Sequence, residues 1–136
     1  MPASLESWSV TPATAGNLAR HFSSSATSAS LAWLTWYTYG PNGHALGEAG
    51  QRWYTAQAVY VPATRSVPMT LYETTGGMFD KSTPAPTTVP IGTATVTFMS
   101  CTRLNLDFHF TGGSSAGTSG TINMTRVGPA PVGCGP

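Results

Sequence analysis

Arg103-Leu-Asn-Leu-Asp-Phe-His-Phe110 alternates polar and apolar side chains at every step. In an extended chain Leu104, Leu106, Phe108 and Phe110 fall on one side, and Arg103, Asn105, Asp107 and His109 on the other. A period of two is the mark of a strand with one face buried and one solvated. The segment just before it repeats the pattern. Over Ile91 to Met99, Ala94, Val96 and Phe98 face one way and Thr93, Thr95 and Thr97 the other, with Cys101-Thr102 at the corner between the two strands.

Working outward, Thr111 to Gly117 reads as a turn and Ser119 to Val127 as the last strand. On the N-terminal side, Leu31 to Tyr39 is rich in aromatic and β-branched residues and stops at the turn chemistry of Gly40-Pro-Asn-Gly43. Gly50 to Tyr60 is its hairpin partner, across a loop that contains His44 and Glu48. Pro68 to Thr74 is a short strand ended by Gly76-Gly77, and Thr83 to Pro90, with three prolines, reads as a linking loop. Residues 1–30 are expected to hold a strand at Trp8 and Val10, a second over Asn17 to Phe22, and a loop over the low-complexity run Ser23 to Ser30.

No helical period competes anywhere. The expected fold is all-β: a small antiparallel up-and-down barrel or sandwich of about seven to eight strands in one domain. Within it, 1–30 is the poorly defined part, 31–127 the β module, and 128–136 a Gly/Pro tail tied down by a Cys101–Cys134 disulfide. Closing that loop stabilises a fold by about 3–4 kcal/mol on chain-entropy reasoning.

Composition bounds the function. Charged residues are 8% of the chain, and roughly a quarter of its residues are serine or threonine. An average soluble domain carries about 25% charged residues, so this surface is coated by hydroxyls and backbone. That coat, with an even cysteine pair, points to a secreted or cell-surface protein. The start, Met1-Pro-Ala-Ser-Leu-Glu6, lacks the basic and apolar regions of a signal peptide. The expectation is a mature exported chain with Met1 added. A net charge of +1 from scattered basic residues excludes nucleic acid as a partner. No apolar run approaches the ~20 residues that span a bilayer as a helix.

Chemistry is weakly signalled. Gly113-Ser-Ser-Ala-Gly117 fits the nucleophile-elbow pattern, but no helix is expected after it and no Asp, Glu or His follows Ser115. Asp107 and His109 share one polar strand face at a spacing of about 6–7 Å. With His44, or with Glu48 or Glu73, they form the one candidate catalytic or metal-binding set. No metal-ligand spacing accompanies them, so no metal and no cofactor is expected. Among five carboxylates none forms a matched acid and base pair. Asn123-Met-Thr125 fits a glycosylation acceptor, though inside an expected strand.

The aromatic residues say more. Trp33 and Trp36 are three apart, so on a strand they take opposite faces, one in the core and one outside; Trp53 and Tyr54 repeat the choice on the partner strand. Trp33, Trp36, Tyr37, Trp53 and Tyr54 are therefore the candidate ligand-binding set. An exposed Trp or Tyr on a flat, uncharged sheet face is suited to stacking on sugar rings.

Thr35-Trp-Tyr-Thr-Tyr39, Pro41-Asn-Gly43 and Arg52-Trp-Tyr54 resemble the "TWYTYDxxGxPxWY" run of a small all-β module in secreted or surface proteins of proteobacteria. Leu71-Tyr-Glu-Thr-Thr-Gly-Gly77 with Phe79, Val89-Pro-Ile-Gly-Thr-Ala-Thr-Val-Thr-Phe98 and Ser119-Gly-Thr-Ile122 extend the resemblance. The N-terminal side departs from it, because the Gly-x-Trp-Trp/Tyr-Asn-Pro opening is reduced to Trp8 with Pro12. The resemblance implies export and an all-β fold, and carries no catalytic residues. The resulting expectation is a non-catalytic extracytoplasmic β-module that binds a neutral polymer such as polysaccharide, or packs into a surface assembly as a homo-oligomer. The alternatives are a small secreted hydrolase or metal-dependent enzyme, and a structural subunit of a virion or filament.

Overall fold

The computed structural model describes residues 4–10, 17–26, 29–40, 50–60 and 64–130, with side-chain surroundings given for 31–40, 50–60 and 64–130. The chain is all-β and antiparallel, as the alternation requires. Six strands carry described side chains: β3 (Ala29–Tyr39), β4 (Gln51–Tyr60), β5 (Ser66–Thr75), β6 (Thr87–Phe98), β7 (Arg103–Phe110) and β8 (Ser119–Arg126). Each pairs with the next in sequence, giving one strongly curled sheet rather than the two stacked layers of a sandwich. These six strands alone make a curled half-barrel. Two N-terminal segments, β1 (Ser4–Val10) and β2 (Asn17–Ala26), continue the backbone pairing, β2 along β3 and β1 along both β2 and β8.

The inward faces are those that the alternation assigns. Leu104, Leu106 and Phe110 are buried on β7, Ala94 and Val96 on β6, and Ile122 and Met124 on β8. Arg103, Asp107 and His109 are exposed. Val67, Leu71 and Leu106 are among the most completely enclosed side chains, and full burial of such a residue stabilises the fold by about 1.5–3 kcal/mol. At one end of the sheet Trp36, Tyr54, Phe108 and Phe110 form an aromatic cluster with ring centroids 4.8–5.6 Å apart, edge-on, tilted or stacked. Such pairs add about 0.5–1.5 kcal/mol each beyond the area they bury.

Two loop assignments change. The serine-rich run Ser23 to Ser30 is largely strand: β2 reaches Ala26 and β3 begins at Ala29, with a bulge between Phe22 and Ala26. Uniformly small side chains hide the alternation there. The proline-rich Thr83 to Pro90 is strand from Thr87 onward. Pro90, which has no N–H, is tolerated because it adjoins a bulge: Leu71 pairs with Gly92 and Tyr72 with Pro90, so Ile91 is the extra residue. The turn expected at Gly40-Pro-Asn-Gly43, with His44 and Glu48, lies mostly outside the described residues; Gly40 N–H donates to Gly50 O at 2.8 Å at the base of that hairpin.

The Ile91 bulge also positions the β7–β8 turn. The freed Ile91 carbonyl accepts from the N–H groups of both Thr111 and Gly112, at 2.9 and 3.0 Å. The turn then forms a short 3₁₀ segment, Gly113–Ser115, and closes with Gly117 N–H on Phe110 O at 2.8 Å. Among the described residues no helix is long and apolar enough to cross a membrane.

Candidate functional site

On β3 and β4 the even-numbered residues face the core and the odd-numbered ones face outward. Trp36 is 4% exposed and Tyr54 2%, whereas Trp53 is 49% exposed and Tyr37 48%. The five aromatic candidates therefore divide. Trp36 and Tyr54 belong to the aromatic cluster of the core and present no face to a ligand outside. Trp33, Tyr37 and Trp53 share the outer surface.

The pairing of β3 with β4 sets Tyr37 directly opposite Trp53. Their rings stack on the outside, with centroids 5.6 Å apart and planes 17° from parallel. Trp33, half-buried, donates its indole N–H to Thr35 Oγ1 at 3.0 Å, which fixes the ring against the sheet. Beside this stack runs a groove of about 410 Å³ lined by Trp33, Trp53, Thr55, Ala56, Gln57, Tyr72, Thr74 and Thr88. Thr55 pairs with Tyr72, which brings the β5 ring alongside β4. Thr74 and Thr88 bond to each other through their hydroxyls at 2.8 Å. Aromatic faces flanked by hydroxyls and one amide, with no ionised side chain in the lining, make up this surface.

Tyr72, Gln57, Thr74 and Thr88 were not foreseen as site residues. Gln57 shares the outward parity of Trp53 on β4, whereas Tyr72, Thr74 and Thr88 join the groove only because β5, paired in turn with β6, lies beside β4, and no local pattern in the chain announces that pairing.

Around the rim, a second concavity of about 540 Å³ is lined by Tyr37, Gln51, Arg52, Trp53, Glu73, Thr74, Thr75 and Ser114. Here the β7–β8 turn meets the barrel wall. Arg52 donates through Nε to Ser114 Oγ at 2.9 Å and through an NH1 hydrogen to Gln51 O at 2.8 Å. The hydroxyls of Tyr54 and Ser115 lie 2.9 Å apart and buried. Burial pushes the Tyr54 hydroxyl above its ordinary pKa range, and the Glu73 carboxylate adds to this; the Ser115 bond and the Arg52 charge pull the other way.

Among the described residues the remaining candidates are not gathered into a site. Asp107 and His109 stand exposed on the outer face of β7. Asp107 accepts a hydrogen bond from Thr121 across the β7–β8 ladder, and His109 pairs by register with Ser119 and Thr93. His44 and Glu48 lie outside the described residues. Among the described residues no group of three His, Cys, Asp or Glu side chains could hold a metal ion. Ser115, the centre of the elbow-like pattern, is buried against Tyr54 rather than presented on a strand-to-helix turn. Cys101, half-buried in the β6–β7 turn, is not a free thiol; Cys134 lies outside the described residues.

No known protein family, curated protein or solved structure matches this chain.

Proposed function

We propose that this chain is a non-catalytic extracytoplasmic module, an eight-stranded up-and-down barrel, that binds a neutral polysaccharide in the groove on the outer face of β3, β4 and β5. The observation that carries this reading is the Tyr37–Trp53 stack, two large rings about half-exposed on a sheet whose other side is packed core. Burying large aromatic surface is favourable, and contiguous apolar surface left in solvent on an otherwise hydroxyl-coated protein marks a binding face. A sugar ring matches it, offering C–H groups to the ring faces and hydroxyls to Thr55, Gln57, Thr74 and Thr88. The low charge of the chain suits an uncharged partner. The resemblance to secreted and surface modules of proteobacteria, and a disulfide from Cys101 to Cys134, belong to the same reading.

Affinity electrophoresis through gels containing a panel of neutral polysaccharides tests it. At least one gel should retard the protein, and Trp53→Ala should abolish the retardation while the far-ultraviolet circular dichroism stays unchanged. Retardation by none of the panel would remove the glycan reading.

A second reading, packing into a surface assembly, draws on a different feature. The β5–β6 hairpin extends to a tip where Phe79 is 97% exposed and Met78 also stands in solvent. Light scattering at high concentration decides it: a monomer throughout would leave the tip without a self-association role.

A further inference from the structure

The groove and the rim concavity share Trp53 and Thr74, so they form one track that passes from the sheet face to the mouth of the barrel. Its chemistry changes along the way. The wall offers rings, hydroxyls and an amide; the mouth adds Arg52, Ser114 and Glu73.

Glu73 is placed there by strand parity. Val67, Met69 and Leu71 of β5 face the core, and Glu73 is the next residue on that side, half-buried where the sheet ends. The turn makes room for it. A Cβ on Gly113 would stand 3.1 Å from Glu73 Oε2, and Gly113 has φ +70, so the position suits glycine on both counts. Arg52 directs Nε–H and an NH1 hydrogen to Ser114 and Gln51, holding the turn. Among the described residues no hydrogen bond or ion pair reaches the Glu73 carboxylate. A carboxylate accepts only and requires donors. A sugar unit resting on Trp53 would supply them as hydroxyls, in charge-assisted bonds about twice as strong as neutral ones.

We propose that Glu73 is the specificity-determining residue of the track, accepting hydroxyl hydrogens from the sugar unit that rests at the Tyr37–Trp53 end. The ligand class is then a neutral glycan that presents a vicinal diol at that unit, and polyuronates are disfavoured by the same carboxylate. This inference rests on the glycan reading.

Isothermal titration of the full chain with neutral hexasaccharides of glucose, mannose and xylose, and with a hexauronate, separates the two ideas. Glu73→Gln should weaken the tightest neutral ligand by at least about tenfold, and should narrow the discrimination between the glucose and mannose series. Trp53→Ala should abolish binding of all of them. If Glu73→Gln fails to fold, Glu73→Asp, which keeps the charge but withdraws it by one methylene, should show a similar loss. Unchanged affinities in the Glu73 variants beside a dead Trp53→Ala would overturn the role of Glu73 and leave the aromatic platform standing. Tighter binding of the hexauronate than of any neutral ligand would overturn it as well. No neutral ligand bound by the wild type would remove the glycan reading itself.

Discussion

The hydroxyls of Tyr54 and Ser115 meet at 2.9 Å in a site closed to solvent, joining the wall of β4 to the turn that caps the sheet end. Among the described residues Ser115 is the only buried side chain outside the hydrophobic core residues, and the hydroxyl of Tyr54 is its partner. Removing one member strands the other, at a cost of about 1–3 kcal/mol, whereas removing both is far milder. Tyr54→Phe and Ser115→Ala should each lower urea stability by that amount, and the double variant should lose clearly less than their sum. Additive losses would mean that the two groups act independently.

The same pair sets an alkaline limit. The folded-state pKa of Tyr54 is raised, foremost by burial, above the roughly pH 10 at which an unfolded tyrosine titrates. Its contribution is complete below that pH and declines as pH rises through the folded value. The stability difference between wild type and Tyr54→Phe should therefore shrink above about pH 10 and stay level below it, as read from denaturation at a series of alkaline pH values.

Trp36 and Trp53 should respond in opposite ways to truncation. Trp36→Ala opens a hole beside Tyr54, Phe108 and Phe110 and should cost about 3–5 kcal/mol, with loss of near-ultraviolet dichroism. Trp53→Ala should stay within about 1 kcal/mol of wild type, because its ring is half in solvent already. Binding measured on a Trp36 variant would therefore report unfolding rather than recognition.

Gly92 has no room for a side chain. A Cβ there would fall 2.3 Å from His109 O and 3.0 Å from the Phe110 Cα. Both neighbours are backbone of β7 and cannot swing aside, so Gly92→Ala must spread the β6–β7 ladder. A loss of about 3 kcal/mol or more is expected, seen as a lowered denaturation midpoint or insoluble expression.

Cys101 should resist alkylation until a reductant is added, and reduction should lower stability by about 3–4 kcal/mol if the closed loop runs to Cys134. Peptide mapping under non-reducing conditions identifies the partner. Two alkylated cysteines without reductant would eliminate the link.

Much of this architecture was legible because alternation is a local property. The inward faces of β6, β7 and β8 follow from Ala94-Val96, Leu104-Leu106 and Ile122-Met124, each set read within its own strand. The division of Trp33 from Trp36 followed from a spacing of three. What escaped depended on neighbours distant in sequence. Tyr72 becomes a groove residue only through its pairing with Thr55, and Glu73 a rim residue only because the 113–115 turn folds over it. Pro90 hid the start of β6, since the bulge that tolerates it is a relation between two strands and leaves no trace in one. The serine run of β2 lacked the contrast in side-chain size on which alternation depends.

Strand parity carries one further consequence. On β3 and β4, the outer surface is built from odd positions and the core from even ones, so surface and cohesion draw on separate residues. Randomising Trp33, Thr35, Tyr37, Trp53, Thr55 and Gln57 together would rewrite the outer face of this ribbon while its interior stays constant. A single residue inserted ahead of Trp53 would do the reverse, trading Trp53 for Tyr54 and turning the molecule inside out along that ribbon.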